Sequence, residues 1–139
     1  MRADSPCRTN EDVDRAGTRV AVGQGSAYDL FLTRELKAAS FVRVPGAAEV
    51  VQTLRDGGAD VAGGIRQVLV EVAARDAGLR LLPGRFMQIR QAMGLARTRG
   101  AAAEAALRAF VEDMKAGGFV AEAITRHAVA GASVAPLAH

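Results

Sequence analysis

The sequence predicts an α/β domain, an open and mostly parallel sheet with helices on both faces, followed by two C-terminal helices. Short β-branched runs alternate with amphipathic stretches of helix length, an order that calls for parallel strands joined by right-handed crossovers. Glycine-bearing turns follow the first three runs, at Gly23–Gly25, Gly46 and Gly63–Gly64. Beyond residue 99 only helical periodicity remains.

The elements follow in order. RVAVG, 19–23, reads as a short buried strand. Ser26 then stands three positions ahead of Asp29, the spacing of a capping box, and Leu32 and Leu36 continue a helix that ends near Lys37–Ala39. FVRVP, 41–45, is a second strand stopped by Pro45. Ala47, Val50, Val51 and Leu54 form the stripe of a second helix, closed by Gly57–Gly58. ADVAGG is a very short third strand. Ile65, Val68, Leu69 and Val72 repeat the helical stripe up to Gly78. LRLLP, 79–83, reads as a fourth strand and QAMGLAR, 91–97, as a fifth. Two helices close the chain, at about 101–116 and 118–128, separated by Gly117–Gly118. The organisation expected is therefore a polar leader or hinge-like segment at 1–17, an α/β lobe at 18–98, and C-terminal helices with a tail at 99–139.

Composition narrows the function. With 139 residues, 50% hydrophobic and 4% aromatic, the chain is long enough for one cored domain built from Ala, Val and Leu. The lone Cys7 cannot form an intrachain disulfide. No run has the apolar length of a membrane helix, and the polar start MRADSPCRTNEDVDRAG lacks the apolar stretch of a signal peptide. The net charge of +3 comes from arginines scattered mostly among acids, with no aromatic ladder, so the excess reads as a solvated surface and no nucleic-acid partner is expected.

In open sheets of this kind ligands collect beyond the carboxyl ends of the strands, where the glycine turns fall. GQGSAY supplies G-x-G but has Tyr28 where a dinucleotide fingerprint wants Gly or Ala, and no G-K-[ST] follows for a P-loop. His127 and His139 are the only histidines and both lie near the end of the chain; Asp29 caps a helix and Asp60 opens a strand. No catalytic residue, metal or cofactor is expected, and the chain reads as non-enzymatic. What the turn does supply is backbone N–H groups at a helix start, which suit a small anion. The candidate ligand-binding residues are Gly25, Ser26, Ala27, Gly64 and Arg66. Ser26 is otherwise a simple cap and Arg66 a solvated arginine at a helix start, where its charge opposes the dipole unless an anion lies near.

In sequence order, EDVDRAGTRVAVGQGSAYDLFLTREL, AAEVVQTLRDGGADVAGG, LRLLPGRFMQIRQAMGLARTRG and LRAFVEDMKAGGFVAEAITRHAV resemble the family 3 extracellular solute-binding proteins of ABC importers, of the amino-acid-binding type. The resemblance runs from about Asp4 to Val134. It implies one lobe of a periplasmic-binding-protein type II fold, specifically the second lobe with its C-terminal helices. It also implies a small solute such as an amino acid or carboxylate, an ABC permease as partner, and a periplasmic location, although this chain shows no signal peptide. In that family the second lobe offers a helix N-terminus to the solute carboxylate, which falls on Gly25, Ser26 and Ala27. The acid that often holds an α-amino group has no counterpart in Gly63–Arg66. A first lobe is missing ahead of Met1, so the chain is expected to be a piece of a longer protein or a shortened gene product. Phe110, Val111, Met114, Val120 and Ile124 would then lack their cover and favour a homodimer through the C-terminal helices. The alternatives are the ligand-sensing domain of a regulator or sensor, and a small α/β enzyme acting on a carboxylate.

Overall fold

A computed structural model describes residues 1–138, so His139 lies outside the described residues. The fold is α/β with an open, parallel sheet of three strands. The chain divides into two compact units, one spanning Met1–Ile89 and the other beginning at Arg90.

The first unit is built around β1 (Arg19–Gly23), flanked by β2 (Ser40–Val44) and β3 (Val61–Ala62) in the order β2-β1-β3. Val20 pairs with Phe41 on one side and Val61 on the other. A central parallel strand has both faces covered, which is why VAV is apolar without alternation. Val20 and Val22 pack with Leu32 of α1 (Ala27–Glu35), whereas Ala21 packs with Val50 of α2 (Ala47–Arg55). Two crossovers of one hand that run in opposite directions across the sheet, β1 to β2 and then β2 past β1 to β3, put these helices on opposite faces. Val20, Ala21, Val22, Val50 and Leu54 are at most 2% exposed, so this layer is the core of the unit.

The polar leader joins that core. Met1, Cys7 and Val13 are buried in the cluster formed by Val20, Val22 and Leu32. A 3-10 turn, Glu11–Val13, brings Val13 in, and Asp14 accepts hydrogen bonds from the N–H groups of Lys37, Ala38 and Ala39 at 2.7–3.0 Å. Those amides hold the Asp14 carboxyl below its ordinary range. At the start of the sheet Asp60 receives the Arg19 N–H at 2.9 Å and both its Nε and Nη2, at 3.1 and 2.9 Å, which fixes β3 against β1.

Neither of the last two expected strands forms. Leu79 makes a single antiparallel bridge to Arg2, and Arg80 ties the same stretch to the carbonyls of Ala3, Ser5 and Cys7. The run 79–83 thus finds its partner in residues 2–3, and Pro83 with the positive-φ Gly84 stops it. Residues 91–96 are exposed and irregular. They contain no β-branched or aromatic residue and have Gly94 in their interior, a poor composition for a pleated surface. The helix α3 (Arg66–Arg75) forms as its stripe predicts but buries none of its residues; Leu69 and Val72 are half-buried, while Ile65 and Val68 remain exposed.

The second unit is a helical pair, α4 (Gly100–Ala116) and α5 (Phe119–Arg126). Gly118 turns between them at φ +83°, where an L side chain would be strained. Ala103, Leu107, Val111 and Met114 on α4, and Val120, Ala123 and Ile124 on α5, are half-buried, so most of the stripe expected to need an outside cover is partly covered. Phe110 and Phe119 are not; they are 51% and 56% exposed. No helix among the described residues is long and apolar enough to cross a membrane.

Candidate functional site

The strand order turns at β1: α1 carries the chain to β2 on one side, and α2 returns it past β1 to β3 on the other. At such a switch point the loops leaving two adjacent strands part, opening a crevice beyond their carboxyl ends. Here the two loops are Gly23–Ser26 and Gly63–Ile65. Against the second of them, and not the first, lies a cleft of about 40 Å³, lined by Tyr28 of α1, Val50 and Val51 of α2, Gly63, Gly64 and Leu69. Its walls are apolar side chains and glycine backbone. By volume it holds little more than a water or a small aliphatic group.

Gly63 and Gly23 serve close packing. A Cβ on Gly63 would sit 3.2 Å from both Leu32 Cδ1 and Val22 Cγ1, so glycine lets β3 end against α1. A Cβ on Gly23 would sit 3.2 Å from the Tyr28 hydroxyl, which lies over that turn. Gly64 rests against Leu69, 3.4 Å from where its Cβ would be.

The start of α1 is built as the capping box predicts, with an addition. Ser26 is the N-cap, and its Oγ accepts the Asp29 N–H at 3.1 Å. The Asp29 carboxylate then reaches back and accepts the Gly25 N–H at 2.9 Å. Gly25 has φ +72° with open space around it, so its glycine answers a backbone requirement and not a close approach. Asp29 is also bonded by Arg43 Nε at 2.9 Å and by the Thr33 hydroxyl at 3.3 Å, and Arg43 Nη2 donates to Thr33 at 2.7 Å. Burial would raise the Asp29 carboxyl, which is 4% exposed. The Gly25 amide, Arg43 and Thr33 together outweigh it and hold the carboxyl below its ordinary range.

An anion thus already sits at this helix N-terminus, and it belongs to the chain. Arg43 neutralises it. The first two amides of the helix, Ala27 and Tyr28, have no partner among the described residues. Of the candidate residues, Gly25 has its N–H bound to Asp29, Ser26 has its hydroxyl on the cap, and Ala27 keeps a free amide. Gly64 lines the cleft. Arg66 does not turn to an anion beside Ser26: its Nη1 donates to the Gly84 carbonyl at 2.6 Å and fastens the loop after α3. Sequence reasoning missed Arg43 and Thr33. The i,i+4 spacing of Asp29 and Thr33 was a usable signal; nothing in the sequence points Arg43 at Asp29. Among the described residues no three His, Cys, Asp or Glu side chains converge as metal ligands.

Comparison of the chain with family models, with curated proteins and with solved structures gives no match.

Proposed function

We propose that the α/β unit is a solute-binding lobe of an importer receptor, non-enzymatic, which takes a small carboxylate or amino acid at the carboxyl edge of its sheet. The observation that carries this reading is the pairing of two unpartnered amides, Ala27 and Tyr28, with the cleft that Tyr28, Gly63 and Gly64 line at the switch point. Amides at a helix start favour a carboxylate, and the apolar cleft that Tyr28 of the same helix lines favours a short aliphatic group. With no acidic side chain among the residues lining that cleft, the lobe has nothing there to hold an α-amino group. The sequence motifs support the same reading, with an ABC permease as partner and the periplasm as location. A second copy of the chain, packed over Phe110 and Phe119, belongs to the proposal.

The test is a calorimetric titration of the chain with 2-aminobutyrate, butyrate and butylamine. The proposal expects millimolar binding of the first two with similar affinity, because one lobe offers half a site, and none of the amine. Binding of butylamine alone, or rejection of butyrate with retention of 2-aminobutyrate, contradicts it.

A further inference from the structure

Over most of the chain arginines alternate with acids. Between Ala77 and Ala103 they do not: five arginines occur there and no Asp or Glu, so this stretch exceeds the net charge of +3 of the whole chain and the remainder is net negative. Arg80 is tied to backbone carbonyls. Arg85, Arg90, Arg97 and Arg99 are exposed, and none has a side-chain partner among the described residues. Two of them flank the start of α4, which has no acid in its first turn and no side-chain cap, so the helix dipole opposes their charge. Within the same irregular stretch Met93 and Leu95 are 63% and 38% exposed.

We propose that residues 90–99, within the second unit, form a docking surface for an anionic lipid bilayer, a role independent of the solute-binding reading. Unpaired cations of one sign on a chain whose remainder is acidic complement a negative surface, and each adds to the attraction within a Debye length. The interleaved Met93 and Leu95 distinguish a bilayer from a nucleic acid. Apolar side chains among arginines enter the boundary between headgroups and acyl chains, whereas a single-stranded nucleic acid would call for exposed aromatic rings, which this stretch lacks.

The test is co-sedimentation of the full chain with vesicles of phosphatidylcholine alone and of phosphatidylcholine mixed with phosphatidylserine. Binding is expected only to the mixed vesicles and is expected to weaken as salt rises. Replacing Arg90, Arg97 and Arg99 together by Gln should lower the partition about a hundredfold at low salt, with the far-UV spectrum unchanged because these exposed side chains make no hydrogen bond or ion pair among the described residues. The triple change Arg90→Lys, Arg97→Lys and Arg99→Lys should keep most of the binding. Met93→Ser with Leu95→Ser should weaken the binding that survives at high salt. No binding to the mixed vesicles, equal binding to neutral ones, an unaffected Gln variant, or preference for an RNA oligonucleotide over the vesicles would each overturn the proposal.

Discussion

Replacing Asp29 by Ala removes the one buried charged side chain of the first unit and the group that closes the start of α1. The side chain is 6% exposed and holds three partners: the Gly25 amide, Arg43 and the Thr33 hydroxyl. Hydrogen bonds to a charged group contribute roughly 1.5–3 kcal/mol each, but the sum does not apply in full. Gly25 and Thr33 are exposed, and the Arg43 side chain is 39% exposed, so all three partners regain water in the variant. The desolvation cost of the carboxylate is also relieved. The net loss expected is about 2 kcal/mol, below the range for a fully buried pair that loses one member. Urea unfolding at neutral pH should show a midpoint lower by about 1 M with an unchanged slope. The pH dependence identifies the cause. Because the folded carboxyl titrates below its unfolded value, its contribution is full above the ordinary carboxylate range and is lost as pH falls through the lower, folded value. The gap between wild type and variant should therefore close below about pH 4. A loss under about 0.5 kcal/mol, which is the scale of a neutral surface change, or a gap that persists undiminished in acid, would refute the reasoning.

Other substitutions test the glycine turns and the helical pair. Gly63→Ala should cost about 1–3 kcal/mol by crowding Leu32 and Val22, read as a lower urea midpoint; a gain in stability contradicts the packing described. Gly25→Val should destabilise by roughly 1–2 kcal/mol through its positive φ, while Gly25→Asn should cost distinctly less; equal effects would point to crowding instead. Sedimentation at micromolar concentration should show a dimer that weakens when Phe110 and Phe119 are both changed to Ser, and a monomer that does not respond to concentration contradicts that part of the proposal.

Local chemistry was legible in the sequence where it depends on neighbours along the chain. Ser26 and Asp29 announced the α1 cap, the Ala47–Leu54 stripe announced α2, and Gly117–Gly118 marked the turn between the last helices. Choices made across the fold were not legible. LRLLP has the composition of a strand, yet its pairing is decided by which edge lies within reach, and residues 2–3 take it in place of β3. The leader looked polar because Met1, Cys7 and Val13 are spaced too irregularly to show a periodicity, although each enters the core. At the site, the spacing located the helix start but not the fact that Asp29 itself occupies it, because that depends on Arg43 arriving from β2. Arg66 at the start of α3 suggested an anion, and a backbone carbonyl 18 residues away serves in its place.

The central claim is that a small carboxylate is received by the first amides of α1, with its aliphatic part in the cleft that Tyr28, Gly63 and Gly64 line. An amide-resolved NMR titration of the chain with butyrate tests it most directly. The account predicts saturable shifts concentrated at Ala27 and Tyr28, with smaller ones at Gly63 and Gly64, and none that tracks butylamine. Shifts confined to the arginine-rich stretch 90–99, or no saturable shift at Ala27 and Tyr28, would contradict it.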